Sequence, residues 1–215
     1  MTESPLEAPE KIMARLKSAT AEHHRRAEQR KLQRDMVQGV LPRNTFAAYL
    51  GQLLHVHGRL ERRLEEQGKV HPALTTVFRP HTRRTADLKA DLSFYGRPAD
   101  PANSATQRLL ADLDAWAESN SYALLGPLYV LEGSMNGNKY IASALTKAWS
   151  LRPGKGVRYL NPYGADQAAK WAAFRDHMDA QDFTGDEEDA IVAAAQRTFD
   201  AIAEIADEVS AAVTG

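Results

Sequence analysis

Apolar residues along the chain recur mostly at intervals of three and four, the period of a helix with one buried face. The first such run is Ile12, Leu16, Ala19, His23 and Ala27. Leu32 to Met36 reads as a short turn leading to Gly39. Pro42 and Asn44 open a long helix with Phe46, Tyr49, Leu50, Leu53, Leu54, Leu60 and Leu64 on its apolar face, and Gly68 stands where a C′ glycine would close it. His71 to Gly96 carries Leu74, Val77, Phe78, Leu88, Leu92 and Phe94. Asn103 and Ser104 then cap a helix expected to bury Leu109, Leu110, Leu113 and Trp116. Residues 121–151 form another long helical pattern, with an interruption expected near Gly133 and Gly137. Pro153 to Gly164 is a loop by composition, and Asp166 to Met178 and Asp186 to Val213 read as the last two helices. Nowhere do β-branched residues alternate over a strand's length. The pattern predicts one all-α domain of about seven or eight helices over 10–213, preceded by a flexible polar arm at 1–9.

Composition narrows the picture. The 215 residues are 43% hydrophobic and 26% charged, proportions of a globular domain able to bury its own core. Lys plus Arg at 27 against Asp plus Glu at 28 leaves a net charge of −1, so no global basic field exists to hold nucleic acid or an anionic membrane. Zero cysteines exclude disulfide scaffolds, thiolate metal sites and cysteine nucleophiles. The first residues lack the basic and apolar regions of a secretory signal. The longest apolar run, Tyr122 to Leu131, is broken by Gly126 and Pro127 and falls short of the ~20 residues a membrane helix needs. A soluble cytoplasmic protein is expected.

Three constellations carry candidate chemistry. The residues three positions before the seven histidines are Thr20, Ala21, Gln52, Leu54, Gly68, Phe78 and Phe174, so the acidic–histidine spacing of di-iron bundles is missing. The zincin, phosphate-loop, dinucleotide and nucleophile-elbow motifs are missing too. At about 100° per residue, Lys17, His24 and Glu28 form one stripe of the first helix, whereas His23 falls at the centre of the apolar face with Leu16 and Ala27. A histidine at that edge, with a carboxylate one turn later to accept the proton of its second nitrogen, is arranged for metal ligation. The plain alternative is a surface His–Glu pair. Gly133 and Gly137, each costing about 1 kcal/mol inside a helix, clear one face either for a flat, bulky group or for a close helix crossing. Arg158, Tyr159, Tyr163, Lys170, Trp171, Phe174 and Arg175 form a basic and aromatic cluster. It is either a solvated face or, through Arg175 with Lys17, a clamp for two carboxylates at the mouth of a pocket.

Together these segments resemble the heme oxygenase family. Leu16-Lys-Ser-Ala-Thr-Ala-Glu-His-His-Arg-Arg-Ala-Glu28 is similar to the family's proximal-helix motif, Leu-x-x-x-Thr-x-x-x-His-x-x-x-Glu. The resemblance continues through Leu54-His-Val-His57 and Leu60-Glu61. Leu128-Tyr-Val-Leu-Glu-Gly-Ser134 resembles the distal-helix signature of the bacterial biliverdin-producing branch, as do Arg158-Tyr-Leu-Asn-Pro-Tyr-Gly164 and Trp171-Ala-Ala-Phe174. It runs from about residue 12 to 210 in order. Ser134 stands where many members carry an aspartate, Asn136 where the motif is usually apolar and Asn138 where it is usually small. These changes imply a more polar and tighter distal face.

The resemblance implies a single all-α domain that sandwiches heme between proximal and distal helices. It implies oxidative opening of heme to biliverdin with release of carbon monoxide and ferrous iron, heme being both substrate and cofactor. Dioxygen and an electron donor of ferredoxin or flavin reductase type would be partners, with a bilin-binding photoreceptor as one destination for the product. On this resemblance His24 is the axial iron ligand and Glu28 its support. Gly133 and Gly137 let the distal backbone cover the heme, and Ser134, Asn136 and His57 hold distal water. Lys17 and Arg175 hold the propionates, and Phe174 and Phe199 line the pocket. For His57 and the two phenylalanines, interior packing is the alternative. A non-catalytic heme carrier or sensor of the same fold is the competing reading, and a helical interaction module without cofactor is a third.

Overall fold

The computed structural model describes residues 10–214, so the arm expected at 1–9 lies outside it. Among the described residues there are nine α-helices and no strand: α1 Ile12–Glu28, α2 Lys31–Gln38, α3 Arg43–Gly68, α4 Pro72–Val77, α5 Thr85–Phe94, α6 Ser104–Ser119, α7 Leu125–Ala148, α8 Gln167–Asp179 and α9 Gly185–Thr214. Single 3₁₀ turns at Pro80–Thr82, Ser121–Leu124 and Gly164–Asp166 link them. None of the helices is long and apolar enough to cross a membrane.

The all-α expectation holds, with local corrections. The short turn at Leu32 to Met36 is the eight-residue helix α2, ended by Gly39 in the left-handed region at φ 71°. Gly68 is not a left-handed cap but lies in the last turn of α3. Its bare Cα makes room for Thr75, whose hydroxyl donates to the Gly68 carbonyl. Leu110 and Trp116 are only half-buried. The expected interruption at Gly133 and Gly137 is absent, because α7 runs unbroken through both. Two glycines cost such a helix about 2 kcal/mol. Leu125, Leu128, Leu131, Met135, Ala142 and Leu145, buried on either side of the pair, hold the helix continuous. Asn103 caps α6 as expected, its side chain accepting from the Thr106 N–H at 2.8 Å.

Helix α9 is the spine. It packs against α1, α2, α3, α6 and α7. Its buried alanines, Ala194, Ala195, Ala201, Ala203 and Ala206, let those neighbours come close. The closest approach is at Gly126 of α7, where an added Cβ would lie 2.5 Å from the Ile191 carbonyl oxygen and 2.6 Å from the Ala195 nitrogen. The α1 side is tied to α9 by Gln196, whose amide donates to the Ala19 carbonyl at 2.8 Å. Both α1 and α7 also touch α2 and α8, yet they make little contact with one another. Two helices that share three neighbours and barely meet leave a slot between them.

The Gly126 contact gives a direct test. Alanine is the better helix former by about 1 kcal/mol, so an exposed glycine-to-alanine change would stabilise. Gly126→Ala is expected to destabilise by roughly 1–3 kcal/mol instead, because the new methyl meets backbone that cannot rotate away. Urea unfolding measures it, and an unchanged midpoint would mean that α7 and α9 separate without cost.

Candidate functional site

The α1 wall of the slot is the predicted stripe. Lys17, His24 and Glu28 are exposed along it. Thr20, the threonine of the proximal-helix motif, falls on the same stripe one turn before His24. The His24 side chain is 52% exposed, with Nε2 3.5 Å from the Glu28 carboxylate, in ion-pair range but long for a hydrogen bond. Its ring stands edge-on to Phe199 of α9, centroids 5.4 Å apart and planes at 86°. A buried phenyl ring beneath an accessible imidazole fixes the imidazole's tilt while leaving a nitrogen free to bind.

His23 is not the core residue its position on the apolar face implied. It is half-buried, and its Nδ1 lies 2.9 Å from the Asp200 carboxylate, with Arg26 beside both. Asp200 arrives from α9, so only tertiary structure supplies the partner that draws this imidazole out of the apolar layer.

The α7 wall carries the glycines. Gly133, Gly137, Tyr140 and Ala144 lie within about 60° of one another around the helix. At one end, a Cβ on Gly133 would meet the Trp171 indole at 3.3 Å. At the other, Ala144 and Ala148 pack against Gly39 below α2. In the middle, a Cβ on Gly137 would meet nothing within 4 Å, and Tyr140 is 70% exposed. The open stretch is therefore bounded by α8 and α2. Ser134, Asn136 and Asn138 are tied to their own helix. Ser134 donates to the Leu131 carbonyl at 2.7 Å, Asn136 to the Gly133 carbonyl at 3.0 Å, and Asn138 to the Ser134 hydroxyl at 3.3 Å. Asn136 also accepts from Gln167 of α8 at 3.2 Å.

Two contacts set how α8 meets α1. Met13 N–H donates to the Asp179 carboxylate at 3.0 Å. At the other end, Trp171 abuts Tyr129 of α7, whose hydroxyl lies near Thr20. The Thr20 hydroxyl donates to the Leu16 carbonyl at 2.7 Å. The chains therefore run antiparallel, with position 13 beside 179 and position 20 beside 171. That order places Lys17 and Arg175 at the same level, both exposed and without an ion-pair partner among the described residues. Phe174 is buried and stacks on Trp171.

His57 sits elsewhere. It is buried on α3, its Nε2 3.1 Å from the Tyr159 hydroxyl and its Nδ1 3.9 Å from Glu61. Burial, and then the nearby Arg84 guanidinium, pushes this imidazole down to about 3, so it is neutral. It belongs to a polar network beneath α7. Glu61 accepts from the Arg84 and Thr85 N–H groups at the start of α5. Arg84 reaches Glu132 at 3.4 Å, both side chains being 3% exposed. Tyr163 donates to Glu132, and the Arg84 guanidinium lies 4.5 Å over the Tyr163 ring. Burial pushes the Glu132 carboxyl above the usual carboxylate range, with Arg84 and Tyr163 opposing. The Asp91 carboxylate takes the Arg158 and Tyr159 N–H groups at 3.0 and 2.9 Å, fixing the loop that carries both tyrosines. Sequence reading found none of these pairings, since all but His57–Glu61 join residues tens of positions apart. A separate cleft of about 640 Å³, lined by Lys139, Ser143, Lys147 and Arg158 among others, opens on a different face of α7 from Gly137.

The heme oxygenase family model matches residues 10–208. Heme oxygenase 1 of Rattus norvegicus is 26% identical over 207 residues, covering 93% of this chain and 71% of that protein. Heme oxygenase 1 of Homo sapiens is 25% identical over 203 residues, covering 91% and 70%. Among solved structures, heme oxygenase from Leptospira interrogans superposes with a TM-score of 0.85 at 25% identity, covering 93% of this chain and all of that one. Heme oxygenase-1 from Synechocystis, solved in complex with heme, has the same fold at 20% identity, with a TM-score of 0.85 over 95% of this chain and 96% of that one.

The depressed His57 imidazole has a thermodynamic consequence. Its folded value lies below its unfolded one, so its contribution to stability is whole above about pH 6.5 and is lost as pH falls towards 3. Unfolding between pH 6 and 5 is expected to take up close to one extra proton at this site, a slope of about 1.4 kcal/mol per pH unit. Glu132, shifted upward, acts with the opposite sign as pH rises above the ordinary carboxylate range, so the comparison is made against His57→Gln. Urea unfolding across pH 7.5 to 5 reads both slopes. Coincident slopes would mean that His57 does not titrate on unfolding.

Proposed function

The chain belongs to the heme oxygenase family, and from that premise we propose how its own residues hold heme and open it to biliverdin. The observation that carries the reading is the pairing across the slot. An exposed imidazole stands on α1 against Phe199 and near Glu28, and α7, which shares the neighbours α2, α8 and α9 with α1, carries Gly137, which meets nothing within 4 Å. The residues present fit a large planar dianion. One wall supplies a nitrogen ligand, the other a face without side chains, and Lys17 and Arg175 supply two unpaired cations at one level of the slot.

His24 is the axial ligand in this reading. When bound, heme supplies both the iron that activates dioxygen and the carbon skeleton that is oxidised, with biliverdin, carbon monoxide and ferrous iron as products. A neutral imidazole donates less electron density than a thiolate, which suits oxidation of the ring over heterolytic cleavage chemistry. Glu28 accepts the proton of the second imidazole nitrogen after a small ring adjustment, which fixes the tautomer. Lys17 and Arg175 make charge-assisted bonds to the propionates and resist in-plane rotation. Gly137 allows the α7 backbone to approach the macrocycle face. Ser134 has committed its hydroxyl proton and Asn136 one of its two amide protons to backbone carbonyls, so towards a ligand they offer lone pairs, one amide N–H or a bound water, and no strong acid. Phe199 supports the ligand and Phe174 supports the α8 side. His57, neutral and under α7, holds the Tyr159 loop and thereby the underside of the distal helix. Reducing equivalents come from a ferredoxin or flavin reductase type donor, in the cytoplasm. A bilin-binding photoreceptor is one class of product acceptor.

Hemin added to the protein is expected to give a Soret band that disappears under a reductase system in air as a bilin band grows in the red. A Soret band that persists under a working reductant would replace catalysis by heme carriage. His24→Ala should lose the axial bond and turnover with far-UV helicity intact, and added imidazole should restore the ligand. His23→Ala, which removes the contacts to Asp200 and Arg26, should keep the heme spectrum. The reverse pattern would overturn the assignment of the ligand.

A further inference from the structure

Gly133 and Gly137 share one face of α7 but look onto different things. An added Cβ at Gly133 would touch the Trp171 six-membered ring at 3.3 Å, whereas at Gly137 it would meet open space. The indole is not loosely placed. It stacks on buried Phe174, with centroids 5.4 Å apart and planes 12° from parallel. The Tyr129 ring of α7 lies 6.1 Å from it, and the Tyr129 hydroxyl is near Thr20 of α1. Trp171 is thus held by α8 from below and, through Tyr129, by α7 and α1. It covers the Gly133 end of the glycine face.

Resting on the heme-binding reading above, we propose that Trp171 is the end wall of the pocket and a specificity-determining residue for ring opening. The space that Gly133 leaves is already filled by the indole, so the macrocycle is confined to the stretch of α7 around Gly137 and Tyr140. Arg175 lies one turn after Trp171 on α8. The wall and one propionate cation therefore ride on the same helix face. The cation resists rotation of the ring in its plane, and the indole resists sliding of the ring along α7. Together they determine which meso edge lies under the distal backbone. A planar, apolar indole edge suits this role, because it offers offset contact to an aromatic macrocycle and no proton at the ring edge.

The test compares Trp171→Ala and Trp171→Phe with the unmodified protein. Hemin is titrated by its Soret band, heme methyl proton resonances of the ferric cyanide complex report orientation, and chromatography reports the biliverdin isomers. Trp171→Ala is expected to bind hemin roughly threefold to tenfold more weakly, as for loss of one aromatic contact. It should also show a second set of heme methyl resonances and a second biliverdin isomer. Trp171→Phe should retain one set. Gly133→Ala, which presses on the indole, should shift the resonances in the Trp171 protein and leave them unshifted in a Trp171→Phe background. That variant carries the test if Trp171→Ala does not fold. A single orientation with unchanged affinity in Trp171→Ala, or equal shifts from Gly133→Ala in both backgrounds, would overturn the wall. Absence of any Soret band in the unmodified protein would instead overturn the heme reading on which it rests.

Discussion

Helix α7 reaches its place only because residue 126 has no side chain. With the Ile191 carbonyl and the Ala195 nitrogen where a Cβ would stand, the two backbones touch, and α9 answers with alanines rather than larger residues. Close backbone contact of this kind leaves no freedom to slide, since every displacement opens a void or drives atoms together. On the other side α9 holds α1 through Gln196 and through Phe199 under His24. The slot is therefore not a gap left by poor packing. It is the distance between two helices that are each fixed to a third.

Three glycines on one helix do three different jobs, and they are indistinguishable as letters. Gly126 admits a backbone, Gly133 admits an indole, and Gly137 admits nothing from the chain. Reading the last two as a pair was sound as far as periodicity goes, since they do share a face. What each one faces depends on α8 and α2, whose placement no local pattern contains. The same limit explains the histidines. Spacing put His24 at the edge and His23 on the apolar face, but it could not supply Asp200, which meets His23 from more than 170 positions away and leaves it half-buried.

Most of the helical architecture was legible because each helix buries one stripe and exposes the other, so the period of three and four survives in the letters. The expected break at Gly133 was not found, because burial on both sides of the pair outweighs two glycine penalties. The proximal wall was legible as a stripe of Lys17, His24 and Glu28, and Thr20 belonged to it by the same arithmetic. The network of His57, Glu61, Arg84, Glu132 and Tyr163 was not legible. It is assembled from α3, the start of α5, α7 and the loop before α8, and no two of its members lie within one turn of each other except His57 and Glu61.

That network and the slot lie on opposite sides of α7 and are electrically opposite in design. Beneath the helix, Arg84 and Glu132 are both buried, and breaking one would strand the other charge in a low-dielectric interior. Above it, Lys17 and Arg175 are exposed and have no ion-pair partner among the described residues. A cation without a carboxylate forgoes little stability at the surface, where such pairs are worth at most about 1 kcal/mol. The same cation gains much more from an anionic ligand that excludes water from the contact. Placing the satisfied charges below and the unsatisfied ones above lets α7 be rigid on its buried side and receptive on its exposed one. Because Glu132 directly precedes Gly133, rigidity passes from the network into the glycine face with no flexible element between.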